Sequence, residues 1–334
     1  MRSARALGVV WVFLTLELGL LIAWPAVHAQ QAPNVARIGI LSSSASVYPN
    51  PASILAHLNA LGYVKDKHFV FEYRSAAGRD DRLPELAAEL VRLKVAVIVP
   101  QGRPAILAAK AATRTIPIVM AAEGDPVASG LVASLARPGG NVTGMAILLP
   151  ELSAKRLELL KEAVPRLTRV GILWNPGDAD RVEEWNAARA AARVLGIEVE
   201  SFEVRSRDDL GPAVDSARKK RVGALLVLEG SVTVANPDLI TDRSVRNRIP
   251  VMYPRRSFVD SFDHGGLMSY EPDAQDLSRR VAVYIDRILK GAKPADLPIE
   301  QPTKFEMVVN LKAAKAIGVS IPPSLLVRAD RVIE

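Results

Sequence analysis

At 334 residues, with 49% hydrophobic and 24% charged side chains, the chain has the makeup of a globular protein and the length of two domains. It holds no cysteine, which excludes a disulfide framework, a thiolate nucleophile, a sulfur-ligated zinc site and a lipid-modified N-terminal cysteine. The formal charge of +7 comes from scattered Lys and Arg. Their one dense run, Arg218-Lys219-Lys220-Arg221, falls at an expected helix end, where cations suit the helix dipole, so no nucleic-acid partner is expected.

The first thirty residues read as an export signal. Arg2 and Arg5 open it, an apolar run from Ala6 to Ala23 follows, and Pro25 leads into the small-residue pattern Val27-His28-Ala29. Cleavage after Ala29 leaves Gln30 as the mature N-terminus and places a soluble product in the periplasm. Loss of Arg2, Arg5 and Glu17 then lowers the formal charge from +7 to +6. The competing reading is a retained membrane anchor, since the run is about long enough to span a bilayer. Glu17 near its middle disfavours that reading, at a cost of about 2 to 3 kcal/mol in lipid. No later stretch of the sequence is apolar and long enough to span.

From residue 37 onward the chain repeats itself. Arg37-Ile-Gly-Ile-Leu-Ser-Ser43 returns as Arg169-Val-Gly-Ile-Leu-Trp-Asn175, and Phe71-Glu-Tyr-Arg-Ser75 returns as Phe202-Glu-Val-Arg-Ser206. The apolar run 95–102 has its counterpart at 223–230, and Ile116-Pro-Ile-Val-Met120 returns as Ile249-Pro-Val-Met-Tyr253. Each run is short, β-branched and bounded by turn residues, which reads as a buried parallel strand. Between them lie helical patterns. In the first copy Asp80 and Asp81 are expected caps, ahead of an apolar face of Leu83, Leu86, Ala87, Leu90 and Val91. In the second, Asp208 and Asp209 are the expected caps. Strand alternating with helix predicts an α/β protein of two Rossmann-like, doubly wound lobes with a ligand cleft between them.

The expected division is a signal over 1–29, lobe 1 over 34–146 with part of 265–292, and lobe 2 over 150–262 with part of 300–334. The Gly-rich stretch 137–144 is the expected crossover between the lobes. After about residue 262 the duplication is expected to end. A strand over 265–270, a helix from Asp273 to Leu289 stopped by Gly291, and an extended connection marked by Pro294, Pro298 and Pro302 then lead to a last strand at Phe305–Asn310.

Ligands of open α/β sheets sit beyond the carboxyl ends of the strands, and two facing sheets bring both sets of ends to one cleft that closes by hinge motion. In lobe 1 this selects Ser42, Ser43 and Ser44, then Gln101, Gly102 and Arg103, then Asp125. In lobe 2 it selects Trp174 and Asn175, then Glu229 and Ser231, then Tyr253. Each has a plainer alternative. The serines suit a carboxylate or simply a polar turn. Asp125 can accept from a ligand ammonium or cap a turn ahead of Pro126. Trp174 and Tyr253 can stack on a planar ligand or pack the core. Arg103 can clamp a carboxylate or fill space.

Longer segments carry a family resemblance. They are Gly124-Asp-Pro-Val127, Gly130 through Gly144, Lys155-Arg-Leu-Glu-Leu-Leu160, Gly266-Leu-Met-Ser-Tyr270, residues 288–298, Glu300-Gln-Pro-Thr-Lys-Phe-Glu306 and Asn310-Leu-Lys312. The chain resembles the ABC transporter substrate-binding protein family that includes tryptophan/tyrosine transport binding proteins. The resemblance implies the type I periplasmic binding-protein fold and an amino acid or related carboxylate as ligand. It also implies an ABC permease in the inner membrane as partner, a monomer and no cofactor, and it adds Ser269 to the candidate contacts. Two positions depart from the family's pattern: Arg103 stands in a loop of small residues, and Glu271 stands in place of glycine. Both departures count against an aromatic amino acid as the ligand.

No enzyme is expected. His57, His68 and His264 lie far apart, and no nucleophile elbow, Walker loop or dinucleotide fingerprint is present. A carboxylate-based hydrolase is the remote alternative, and a sensory protein presenting its bound state to a membrane receptor is the nearer one. The Asn141-Val-Thr143 sequon is read as serving the Gly-rich turn.

Overall fold

The apolar runs of the two copies form the centres of two sheets in a computed structural model. It describes residues 35–43, 49–121, 124–260 and 265–334, with the side chains at 179 and 180 excepted. The expected signal segment, Ser44 and His264 lie outside the described residues. Residues 35–334 make one compact unit.

The first copy supplies β1 (Ala36–Ser42), α1 (Pro51–Ala60), β2 (Phe69–Ser75), α2 (Leu83–Arg92), β3 (Val97–Gln101), α3 (Arg103–Ala112), β4 (Ile118–Met120) and β5 (Val142–Gly144). These strands form an all-parallel sheet in the order β2-β1-β3-β4-β5. The second copy begins with α4 (Leu149–Ala163), β6 (Arg169–Trp174), α5 (Ala179–Val194), β7 (Glu198–Glu203), α6 (Arg207–Lys219) and β8 (Ala224–Val227). It continues through α7 (Ser231–Val234), α8 (Pro237–Arg246), β9 (Val251–Tyr253), α9 (Ser257–Asp260), β10 (Met268–Pro272) and α10 (Ala274–Leu289). It ends with β11 (Phe305–Asn310), α11 (Leu311–Ile317), α12 (Pro323–Arg328) and β12 (Arg331–Ile333). The second sheet runs β12-β11-β10-β9-β8-β6-β7, with β11 antiparallel to β10 and the other pairs parallel.

Both faces of each sheet are covered, as parallel strands with no polar alternation require. In the first sheet Ile38, Ile40, Val97 and Val99 pack with α1 and α10, while Leu41, Ile98 and Ile118 pack with α2 and α3. In the second, Val170, Ile172 and Leu226 face α4 and α5, and Leu173, Leu225 and Val227 face α6 and α8.

The duplication runs further than the sequence indicated. β7-β6-β8-β9-β10 has the order of β2-β1-β3-β4-β5, so β10 is the counterpart of β5 and the second copy extends to Pro272, not 262. The Gly-rich stretch is also corrected. Val142–Gly144 is a strand of the first sheet, tied to Thr113 and Ile116 through the Asn141 side-chain amide, and the crossover follows it. Asp80 and Asp81 cap nothing: they form a short turn of 3₁₀ helix ahead of α2. Asp209 does serve the start of α6, from its third position, by accepting the backbone N–H groups of Arg205 and Ser206.

Three chain segments cross between the sheets side by side. The first leaves β5 for α4. The second passes from β10 to α10, where Asp273 caps the helix by accepting the Asp276 N–H at 2.8 Å. The third runs from Ile299 to β11. The Ala146 N–H donates to Glu300 O at 2.9 Å and the Glu300 N–H to Gly144 O at 3.0 Å, joining the first and third. The Asp273 N–H donates to Lys304 O at 3.0 Å, joining the second and third. β10 therefore belongs to the second sheet, while α10, which follows it, packs on the first.

Candidate ligand-binding site

The strand ends supply the framework. Gly124 follows β4, Glu229 follows β8, Pro254 and Arg255 follow β9, and Glu271 and Pro272 end β10. Together with Ile147, Leu149, Leu152 and Arg156 around the first crossover, and Arg181 of α5, they line one pocket of about 50 Å³. Groups from both sheets thus meet beyond the carboxyl ends of the strands, beside the crossovers, where open α/β sheets bind ligands.

The pocket is dense in charge. Arg156 on α4 is 1% exposed, and its guanidinium donates to Tyr270 O at 2.8 Å and Pro254 O at 2.9 Å, tying α4 to the ends of β9 and β10. Its Nη1 is buried without a hydrogen-bond partner among the described residues; Glu184 Oε1 stands 3.5 Å away. Glu184 is fully buried and already accepts from Ser153 Oγ at 2.5 Å and Arg181 Nη1 at 2.7 Å, so one carboxylate serves two arginines. Burial lowers the Arg156 pKa, which the neighbouring carboxylates partly offset, Glu184 first. Taking a charge out of water is costly unless it is paired, so a cluster of this kind marks either a structural clamp or a ligand site.

Glu229 and Glu271 face the same space in opposite states. Burial pushes the Glu229 carboxyl up, but Arg255, which donates from Nε at 2.9 Å, and then Arg181 and Arg156, bring it below the usual carboxylate range. Among the described residues no guanidinium is bonded to Glu271; one oxygen accepts the Arg256 backbone N–H at 2.6 Å. Burial pushes it up to about 7. The Arg256 N–H and the charges of Arg255 and Arg156 pull against the rise, and Glu229 adds to it. Among the described residues no cluster of His, Asp and Glu is arranged to hold a metal ion.

Among the described residues selected as strand-end contacts, Glu229 alone lines this pocket, with Gly124 beside Asp125; Glu271, singled out as a departure from the family's pattern, lines it too. Ser43 and Gly102 are brought together: Ser43 Oγ donates to Gln101 O at 3.3 Å, and a Cβ on Gly102 (φ 89°) would fall 2.3 Å from Ser43 Oγ. Arg103 opens α3 beside them, half-buried. Asp125 Oδ1 accepts from the Val127 and Ala128 N–H groups at 2.8 and 3.1 Å, the turn-capping alternative. Asn175 does the same for Gly177 at 2.9 Å, and Ser231 is exposed at the start of α7.

Four candidates are buried. Trp174 stacks on Trp185 with ring centroids 5.0 Å apart and donates its indole N–H to Ser201 Oγ at 2.9 Å. Tyr253 is fully buried against Phe258 and shares a hydrogen bond with Ser244 Oγ at 2.9 Å. Ser42 is buried at the end of β1 and Ser269 within β10.

Arg156, Arg181 and Arg255 were missed because a rule of strand ends does not search helices α4 and α5 or a second residue past β9. The Asp178-Arg181-Glu184 ladder at spacings of three, running from just ahead of α5 into it, was the available signal, with ion pairs of 3.7 and 2.7 Å.

Two doubly wound lobes with the pocket at their crossovers define a solute-binding protein of the type I periplasmic binding-protein fold, a class that binds without turnover. The chain belongs to the ABC transporter substrate binding protein family, whose model matches residues 34–333. It is similar to a tyrosine-binding protein of Clostridioides difficile (strain R20291), 26% identical over 256 residues, covering 77% of this chain and 72% of that protein. Among solved structures it is similar to the ABC domain in complex with L-Trp from Streptococcus pneumonia. That match has a TM-score of 0.80 and 28% identity, covering 90% of this chain and 100% of that one. A conserved domain protein from Vibrio cholerae matches with a TM-score of 0.81 and 27% identity over 89% of this chain and 99% of the other.

Proposed function

We propose that this chain is the periplasmic solute receptor of an ABC importer. It takes an amino acid or related small carboxylate between its lobes and presents the closed, loaded form to a permease in the inner membrane. The observation that carries this reading is the meeting of strand ends from both sheets with buried arginines and glutamates at the three crossovers. A site spanning a hinge couples binding to closure, because only the closed form makes both halves of the contacts. The tyrosine and L-Trp attached to the two relatives named above support a ligand of the amino-acid class. Export by the N-terminal signal, with cleavage after Ala29, and action as a monomer complete the proposal.

A thermal-shift screen of amino acids and small carboxylates tests it. One class of compound should raise the melting temperature in proportion to the logarithm of its concentration, with stabilisation of about 2.7 kcal/mol at a hundred times Kd. Turnover of a compound without such stabilisation would sink the proposal.

A further inference from the structure

Glu271 and Arg156 are not accounted for by the clamp they sit in. Arg156 uses two of its nitrogens on the Tyr270 and Pro254 carbonyls, yet its Nη1 is buried with no hydrogen bond among the described residues, only the 3.5 Å ion pair with Glu184, while Arg156 lines the pocket. A buried donor left unmade is costly, so an occupant that accepts from it recovers that cost. Glu271, 7% exposed on the same pocket wall, has a single hydrogen bond, from the Arg256 N–H.

The surrounding charges fix what occupant suits them. Arg156 comes from α4, Arg181 and Glu184 from α5, Glu229 from the end of β8 and Arg255 from the end of β9. Glu306, opposite Glu271 on β11, is engaged by Arg256, which also pairs with Asp260. Asp178 lies 3.7 Å from Arg181 at the solvent edge, where water screens it. Arg156 and Arg181 thus share the fully buried Glu184, and Glu229 is held by Arg255. Protonation of Glu271 removes one negative charge from near Arg156, whose Nη1 is the donor left to receive an anion.

We propose that Arg156 and Glu271 discriminate the ligand by charge: Arg156 Nη1 receives a carboxylate, and Glu271 binds a proton when that carboxylate arrives. The inference rests on the solute-receptor reading above. The proton comes from solvent, and no bond other than O–H forms or breaks. A ligand carboxylate beside Glu271 raises its proton affinity further, as like charges do. Since burial already holds the free Glu271 carboxyl near 7, affinity is greatest and level below that pH and falls above it, by up to tenfold per pH unit.

Calorimetric titration of the protein and of Glu271→Gln with L-tryptophan, indole-3-propionate and tryptamine at pH 6.0 and 8.5 separates the possibilities. The two carboxylates should bind, with tryptamine weaker by about tenfold or more. Wild-type affinity for them should fall about fivefold or more from pH 6.0 to 8.5. Glu271→Gln should match wild type at pH 6.0 and bind more tightly than wild type at pH 8.5, a gain that misfolding cannot produce. Tryptamine binding as tightly as the acids, or a Glu271→Gln variant that keeps the wild-type pH slope, overturns the inference and leaves the receptor reading intact. Failure of all three compounds to bind at either pH overturns the inference, and the receptor reading then stands or falls with the thermal-shift screen.

Discussion

Glu271 should cost the ligand-free protein stability in a defined pH window. Its folded pKa, near 7, lies above the unfolded value of a glutamate, about 4.3. Between those limits the native state holds more protons than the unfolded chain, so stability falls as pH rises from about 4.3 to 7 and stays reduced above that. The full effect is at most about 4 kcal/mol. Glu271→Gln removes the penalty, so its denaturant midpoint should exceed wild type at pH 8 and match it at pH 4. Equal differences at the two pH values would show that packing, and not the proton, distinguishes the two side chains.

The residue scale also shows what the repeat could convey. Trp174 was aligned with Ser42, and the equivalence holds: both end the first strand of their copy and both are buried. What the alignment lacked was facing. Side chains alternate across a strand, so a terminal position offers its side chain to the cleft or to a helix layer. Trp174 turns to α5 and Trp185, and Tyr253 to α8 and α9. A wholly buried parallel strand has no polar alternation from which facing can be read.

Among the elements, β5 was the least legible and is the most constrained. Three residues behind a Pro-Gly-Gly turn carry no periodicity, yet they complete the first sheet and lead directly into the first crossover. Gly144 shows why the sequence there reads as loop. Its φ is 122°, and a Cβ would stand 2.3 Å from Met120 O and 2.6 Å from Met120 N. Both the backbone angle and the close approach to β4 require glycine. Gly144→Ala should lower the urea midpoint by the equivalent of about 3 kcal/mol, at the upper end of the range for a single strained residue. A loss below about 0.5 kcal/mol, an ordinary surface effect, would mean the crossover gives way easily. Of the four strand pairs recovered from the repeat, three have apolar runs buried on both faces, and the edge pair β2 and β7 is recovered by a shared Phe-Glu-x-Arg-Ser match across its half-buried end. The fifth pair, β5 and β10, was missed because their sequences do not match each other although their places in the sheets do.

At the scale of the whole molecule, the proposed receptor role makes the crossovers the link between binding and a partner. On the second lobe Arg156 fixes α4 to the carbonyls of Pro254 and Tyr270, so the first and second crossovers leave that lobe as one piece. On the first, the 144–146 and 300 backbones are bonded together, and Tyr284 of α10 donates to Pro298 O at 2.5 Å. Bending is thereby confined to the short stretches between these clamps, which favours rotation of two rigid lobes over local rearrangement. A ligand held by residues of both lobes lowers the energy of the closed arrangement only, and shifts the population by its differential affinity. Small-angle scattering with and without the compound that stabilises the protein should therefore show a smaller radius of gyration in the loaded form. The Glu271→Gln variant at pH 8.5 should reach that smaller radius at a lower ligand concentration than wild type. A radius unchanged at saturation would mean that the pocket fills without moving the lobes, and that any permease must read the ligand through a local surface.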